Sequence, residues 1–340
     1  MFFPLHAPML LYVRHFKPSE PAYLLLFSAR ATGVLLVLAC IASSLGLVHW
    51  RLELLTHGMP QIAGASVLCT LLLLVMKDWV PTAVLAGITA MVGVQVAPWM
   101  GLGAAPEEAP AAFSVFYANV LRVNENTEQL SAQIAAADAD VVVLVEVDRR
   151  WLSELEPVLG VYPERMEHPQ DDNFGVAFYS RLPVASVEAS YFGPDHALEG
   201  PGVVATVSVD GRPVQIYGLH TLPPAAEEFA EHRDLQLQDL AERLEGVEQG
   251  VVVVGDLNTS MYASGYKNLA QQAGLSNARK GRGPLGTWPA GFPGWLRIPI
   301  DHVLVNAQLQ VTHLQVGELM GSDHLALYAE VGFAKTPGEL

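Results

Sequence analysis

The chain has 340 residues, of which 51% are hydrophobic and 16% charged, with a formal net charge of −16. That length admits one large domain or two smaller ones, but the apolar residues are placed too unevenly for an average soluble protein. So acidic a chain would repel long nucleic acid unless a local basic patch or a metal compensates, because nucleic-acid binders carry a basic face.

The first third is apolar in three blocks. Ala31 to Trp50, Gly58 to Met76 and Trp79 to Pro106 contain no Asp, Glu, Lys or Arg. Each is long enough to cross a bilayer core of ~30 Å, which takes roughly 20 helical residues. Three buried helices of a soluble protein are the alternative, and they would leave no polar face. Transmembrane helices are therefore expected at about 31–50, 58–76 and 79–101, within a membrane anchor covering 1–103. Uncharged interiors argue for an anchor and against a channel or pump. Lys77-Asp78 is so short a link that the second and third spans must form a tight hairpin. The first span is not a signal peptide, since some thirty residues precede it and two spans follow. Trp50, Trp79 and Trp99 fall near span ends, where indole prefers to sit. Cys40 and Cys69 both lie within the spans, so no disulfide is available beyond residue 110.

Arg14, Lys17 and Arg30 precede the first span and Lys77 separates the second from the third. This bias favours an inside amino terminus, with Arg51 opposing it. The expectation is a multi-pass protein of the cell membrane whose residues beyond about 105 lie outside the cytoplasm. If Pro60 shortens the second span and only two cross, the remainder returns to the cytoplasm.

Residues 104–112, rich in Ala, Pro and Glu, read as a linker to a soluble domain over 113–332. Ser114 to Val120 is a short strand interrupted by Asn119. Glu128 to Ala137 has helical spacing. Asp140 to Val147 is a β-branched strand whose apolar run Glu146 breaks. A carboxylate there costs several kcal/mol unless it is paired or binds a metal. Asn119 and Glu146, at the ends of two strands joined by a helix, either converge on one cation or are separately satisfied. Gly175 to Ser180 is a further strand. Val203 to Val209 and Arg212 to Leu219 flank Asp210-Gly211, a strong hairpin turn, and the second strand ends at His220. Ala225 to Leu244 is an amphipathic helix on which His232 reads as solvated.

Val251-Val252-Val253-Val254-Gly255-Asp256-Leu257-Asn258 reads as a strand buried on both faces that stops at Gly255, where the chain can turn. An acid and an amide at a strand's carboxyl end sit where α/β proteins hold polar chemistry. Asp256 offers a hard oxygen for a divalent cation and Asn258 a carbonyl or an NH₂. The simpler reading is an Asx turn. A Gly/Pro-rich loop carries Thr287-Trp288-Pro289. Ile300 to Val305 is a strand with Asp301 near its start. Val311 to Val316 bears a surface His313, and Gly321-Ser322-Asp323-His324 precedes a last strand, Leu325 to Val331. Hairpins mixed with β-α-β units suggest two packed sheets with helices outside.

The ordered set Asn119, Glu146, His220, Asp256-Leu257-Asn258, Asp301 and Ser322-Asp323-His324 resembles the endonuclease/exonuclease/phosphatase superfamily over roughly 112–332. Thr287-Trp288-Pro289 before an Ile-Asp strand is also similar to it. The resemblance implies an α/β fold, a four-layer α/β sandwich of the deoxyribonuclease I type, behind the three transmembrane helices. It implies Mg²⁺, or Mn²⁺, held chiefly by Glu146 with Asn119 assisting, Asp256 adjoining and Asp323 a further metal-site carboxylate. It assigns His220, Asp256, Asn258, Asp301 and His324 to catalysis. In those roles Asp256 positions or deprotonates water, His324 contacts the phosphate, Asp301 orients His324, and His220 is the second phosphate-side histidine. His302 departs from the family's usual Tyr or Arg, which leaves the packing around Asp301 open. The chemistry suits the set: a dication offsets phosphate charge, and histidine titrates near neutrality.

Beyond Ala112 there are fourteen Lys and Arg against thirty Asp and Glu, so the whole formal charge lies in this half. Arg279, Lys280, Arg282 and Arg297 fall near Trp288 and Trp295 and read either as a basic, aromatic rim or as a solvated loop. The expected substrate is a phosphoester, a lipid headgroup or small phosphoester ahead of DNA or RNA. A membrane-bound nuclease and a catalytically silent binding module on the same fold are the alternatives.

Overall fold

A computed structural model of the chain describes residues 20–44, 49–101, 110–194 and 200–334. Arg14 and Lys17 of the orientation argument, and most of the expected linker, lie outside the described residues.

Four helices come first: α1 (Glu20–Ser44), the short α2 (Trp50–Glu53), α3 (Met59–Val75) and α4 (Trp79–Val96). Three stretches, Tyr23–Ser43, Trp50–Val75 and Trp79–Trp99, are long and apolar enough to cross a membrane. The first begins earlier than the uncharged block at 31–50, and Arg30 lies inside it. A charged side chain does not interrupt the i→i−4 backbone bonds, so the helix runs through. Arg30 donates to both carboxylate oxygens of Asp78, at 2.6 and 3.0 Å. That pair closes one end of the bundle, and Ala29, Cys69, Leu73 and Leu85 pack together near it.

The strands that follow are β1 (Phe113–Asn119), β2 (Val141–Val145), β3 (Glu164–His168), β4 (Val176–Ser180), β5 (Val184–Tyr191), β6 (Pro201–Val209), β7 (Arg212–His220), β8 (Gly250–Asp256), β9 (Ser276–Asn277), β10 (Asp301–Val305), β11 (Leu309–Val316) and β12 (Leu327–Phe333). Helices α5 (Thr127–Ala137), α6 (Arg149–Leu159), α7 (Glu227–Leu244) and α8 (Ser264–Gln272) lie between them in sequence. Two six-stranded sheets form, in the orders β11-β12-β1-β2-β4-β3 and β5-β6-β7-β8-β10-β9. Each has a central parallel pair, β1 with β2 and β7 with β8, joined by a helix.

Strand periodicity sorts the side chains into layers. Val115, Tyr117, Val141 and Val143 meet Val203, Ile216, Val252 and Val254 between the sheets. The alternate residues Phe116, Ala118, Val142 and Leu144 pack outward on Leu130 and Ile134 of α5 and Trp151 and Leu155 of α6. On the other sheet Tyr217, Leu219, Val251 and Val253 face Leu237 and Leu240 of α7 and Leu269 of α8. This is the four-layer sandwich that the sequence resemblance implies.

The N-terminal helices are docked on that last layer. Cys40, Met59, Val92 and Val96 share its apolar core with Leu237, Leu240 and Tyr262. Trp99 meets Tyr262 edge-on at 6.3 Å. The carbonyls of Pro98 and Trp99 accept the Gly281 and Gly283 N–H groups at 3.1 and 2.6 Å. Glu53 reaches the Arg233 guanidinium at 2.8 Å, with side chains 5% and 1% exposed.

One local expectation changes. The strand through Val251–Val254 does not stop at Gly255; β8 continues through Asp256. A Cβ at residue 255 would lie 2.1 Å from the Leu219 carbonyl oxygen, so this glycine serves close strand packing and not a turn. The Asp210-Gly211 turn is as expected, with φ of 50° and 78°, the left-handed pair that a tight hairpin needs.

Candidate active site

Strand register assembles the site. β7 runs parallel to β8 and pairs His220 with Asp256, while β10 runs antiparallel to β8 and pairs Asp301 with Asp256. Three functional side chains are thus neighbours across three adjacent strands. In the facing sheet, β1 and β2 pair Asn119 with Val145, which places Glu146 one residue past the strand end. Glu146 has φ of 60°. The left-handed conformation costs a non-glycine residue roughly 1–2 kcal/mol, and it occurs here at a site residue.

The two half-sites meet through Asn119. Its NH₂ donates to Glu146 Oε1 at 2.9 Å and to Asp256 Oδ2 at 3.3 Å, while its own oxygen accepts the Leu121 N–H at 3.1 Å. His220 Nε2 lies 3.8 Å from Glu146 and 3.7 Å from Asp256. Its Nδ1–H donates to the Asn173 carbonyl at 3.0 Å, which fixes the ring, and Phe174 packs 5.5 Å away. His324 Nδ1 binds Asp301 Oδ2 at 2.9 Å, and its Nε2 faces Asp256 at 3.6 Å. Ser322 steadies this corner by donating to the Asn119 carbonyl at 2.8 Å and accepting the His324 N–H at 3.0 Å.

The charges here are set by burial and by each other. Burial raises the Asp256 pKa, His324 opposes the rise and Asp301 adds to it, leaving the carboxyl at about 6. Burial also disfavours the His324 imidazolium, but Asp301 and Asp256 outweigh it and hold that pKa up at about 10. Asp301 is pulled below the ordinary carboxylate value: burial works against its ionisation, and His324, Thr287 and Arg279 overcome it. Beneath them Tyr117 is fully buried, and burial together with the nearby carboxylates pushes its phenol well up, so it stays neutral.

The structure brings Asn119, Glu146, His220, Asp256, Asp301 and His324 into one cluster. Asn258 and Asp323 sit differently. The Asn258 N–H donates to Asp256 Oδ1 at 2.9 Å, which is an Asx turn, and its side-chain amide donates to the Thr221 carbonyl at 2.8 Å. The Asx turn expected at Asp256 is therefore present, and it leaves the carboxylate inside the cluster. Asp323 lies on the rim, its side chain 49% exposed and 4.0 Å from His324 Nε2, and it accepts the Trp288 indole N–H at 3.0 Å.

His302 is resolved as a buried neutral ring. It donates from Nε2 to the Thr259 carbonyl at 2.8 Å and accepts the Asn277 NH₂ at Nδ1 at 3.0 Å. Burial, then the charge of Arg279, depresses its pKa to about 3. Arg279 is itself fully buried and donates to the Leu285 carbonyl, and Arg282 donates to the carbonyls of Ala278 and Val311 at 2.6 and 2.7 Å. These two arginines are spent on the fold, which removes them from any basic rim. Sequence reasoning passed over Tyr117, Asn173 and Arg233; the first looks like any core aromatic, and the second acts through its backbone.

The donor set suits a hard cation. Asp256, Asp301 and His324 offer ligand atoms within 4.8 Å of one another. Asp301 and His324 already satisfy each other, whereas Glu146 is buried with only the Asn119 amide and a 3.4 Å backbone N–H from Arg122 in hydrogen-bond reach. Carboxylates held together without full compensation are costly unless a cation joins them. Each carboxylate oxygen of Glu146 and Asp256 accepts one hydrogen bond, which leaves lone pairs on both residues for it.

The sequence profile of the Endonuclease/Exonuclease/phosphatase family matches residues 115–324, from β1 to His324. The chain belongs to this family. Solved structures agree on the fold. D. rerio TDP2, complexed with a single-strand DNA product, is 17% identical with a TM-score of 0.55, covering 65% of this chain and 98% of that one. The human Nocturnin catalytic domain with bound sulfate is 19% identical, TM-score 0.54, with 65% and 94% covered. A Bacteroides vulgatus family member is 16% identical, TM-score 0.55, with 65% and 99% covered. No curated protein matches the chain in sequence.

Proposed function

We propose that this family member is a membrane-anchored phosphoesterase that uses a divalent cation to hydrolyse lipid headgroups or small phosphoesters on the outer side of the membrane. The observation that carries the reading is the strand register aligning His220, Asp256 and Asp301 opposite Asn119 and Glu146. Glu146 and Asp256 would hold the cation, Mg²⁺ or Mn²⁺, which when bound offsets the charge on the phosphate. Asp256, 3.6 Å from His324 and 3.7 Å from His220, is placed to take the proton of the attacking water. His324 donates a hydrogen bond to a phosphoryl oxygen, and Asp301 fixes the ring that does so. His220 Nε2 faces the same space from the opposite wall. Water oxygen bonds to phosphorus as the ester P–O bond breaks, and the proton that Asp256 accepts is returned through solvent to the leaving oxygen.

The outer side rests on the basic residues that precede the first span, and the packing fixes which loop the domain accompanies. α1 runs the length of the bundle, with Arg30 on Asp78 at one end and Cys40 beside Met59 and Val96 at the other. Residues 49–58 dock on the catalytic domain, so both must share one side of the membrane, as three crossings require. The domain's net charge of −16 weighs against long DNA.

The test offers the full chain in vesicles three substrates: phospholipid, bis(p-nitrophenyl) phosphate and single-stranded DNA, each with Mg²⁺ or chelator. Metal-dependent cleavage of the first two is expected. Preferential cleavage of DNA would support the nuclease reading, and no cleavage at all the silent module.

A further inference from the structure

The loop spanning residues 290–297 is fixed at both ends. At the site end the Ala290 N–H donates to the Asp323 carbonyl at 2.7 Å, and Trp288 donates to the Asp323 carboxylate at 3.0 Å. At the other end Gln61, in the first turn of α3, donates its side-chain amide to the carbonyls of Trp295 and Arg297, both at 3.1 Å. Trp295 is five positions after Ala290, a span of at most about 18 Å. The end of a bilayer-length helix and the rim of the active site are therefore joined by one short segment.

Between those points the loop exposes apolar surface. Trp295 is 74% exposed, Phe292 53% and Leu296 37%. Seven large apolar side chains beyond residue 110 are this exposed among the described residues, and both aromatic ones are here. Such surface adds nothing to the core. Beside the end of a spanning helix it matches the headgroup layer, where Trp is favoured and cationic side chains meet phosphate. Arg297 uses Nε to bind the Phe292 carbonyl at 2.8 Å, and its terminal nitrogens have no protein partner among the described residues.

We infer that this loop is an interfacial wedge. Phe292, Trp295 and Leu296 seat in the headgroup layer of the leaflet on the domain's side of the membrane, and Arg297 binds a lipid phosphate there. The wall of the site bearing Trp288 and Asp323 is thereby held at the lipid surface. This makes an intact phospholipid of that leaflet the substrate class, a step that rests on the phosphoesterase reading; the seating of the loop does not.

The experiment uses the full chain, whose Cys40 and Cys69 are buried. Phe292→Cys, Trp295→Cys and, as a control in the exposed turn between α6 and β3, Val161→Cys are labelled with an environment-sensitive fluorophore. Each is reconstituted in phosphatidylcholine/phosphatidylglycerol vesicles with brominated acyl chains. Emission from positions 292 and 295 should fall about twofold or more with brominated lipid, and that from 161 should not. If all three are quenched by aqueous iodide alike and untouched by brominated lipid, the wedge is wrong. Trp295→Ser should lower hydrolysis of vesicle phospholipid about tenfold while sparing bis(p-nitrophenyl) phosphate. Equal losses on both would reduce the loop to a structural role and overturn the inference. Lipid-quenched labels on a protein that cleaves nothing would keep the wedge and sink the phosphoesterase reading.

Discussion

His324 is held between two carboxylates: Nδ1 binds Asp301 at 2.9 Å, and Nε2 faces Asp256 at 3.6 Å. An imidazole so placed has one productive orientation, and Asp301 supplies it. His324 and Asp301 should then behave as one unit. His324→Ala and Asp301→Asn are each expected to lower turnover by about 10²–10⁴, with the double variant scarcely worse than His324→Ala alone. Turnover of the three variants decides it. If the two single losses multiply in the double variant, the pair is not functional.

Helices α2 and α7 share a buried ion pair, which reaches the loop after β8. Arg233 binds Glu53 at 2.8 Å and Asp234 at 2.7 Å, and also donates to the Asn258 carbonyl at 3.3 Å. His57 meets Ser260 at 2.9 Å on the same loop. Breaking a buried pair from one side costs about 3–5 kcal/mol, because the remaining charge stays buried. Glu53→Gln and Arg233→Met should each lower the thermal midpoint of the full chain in detergent, and the double variant by less than their sum. Strict additivity would show that the contact carries no energy. A fragment beginning at residue 110 bares the same apolar face and should be less stable still.

His302 sets a pH dependence of stability. Its folded pKa is about 3, against roughly 6.5 for the unfolded chain. Between those values the unfolded state binds the extra proton. The stabilisation is therefore fully present above pH 6.5 and is lost as pH falls toward 3. The difference in thermal midpoint between wild type and His302→Gln should shrink from pH 7 to pH 4.5. A difference constant over that range would contradict the buried neutral ring.

Much of this was legible in the sequence, for physical reasons. Val141–Val145 and Val251–Val254 are buried on both faces, so their β-branched runs read directly as strands. The site was legible because its residues stand at strand ends. β3 and β5 were not anticipated, since they are edge strands whose largely exposed residues follow no clean alternation. α6 did carry a pattern, Trp151, Leu155 and Leu159 at a spacing of four, with Pro157 breaking the appearance of a helix. The start of α1 was misplaced because Arg30 looked like a boundary, and its partner Asp78 is 48 residues away. Glu53 and His57 carry no signal of their own in the sequence, because their partners, Arg233 and Ser260, are fixed only by the tertiary fold.

Residues 49–58 contact the domain and so share its side of the helices, and reporter fusions decide which side that is. Alkaline phosphatase fused after residue 110 should be active and a cytoplasmic fluorescent reporter dark, with the reverse for fusions at Lys77. Fluorescence after residue 110 would return the domain to the cytoplasm and revive a nuclease role.

The central claim is hydrolysis of a phosphoester that depends on a cation held at Glu146. Glu146 is 7% exposed and touches the Asn119 amide at 2.9 Å. Glu146→Gln keeps the shape and removes the charge. The direct measurement is turnover of the full chain in vesicles across a Mg²⁺ titration, wild type beside Glu146→Gln. Turnover should rise from zero in chelator with Mg²⁺ for the wild type and fall about 10²-fold or more in the variant. Wild-type turnover that persists in chelator, or a variant as active as the wild type at every Mg²⁺ concentration, would contradict it.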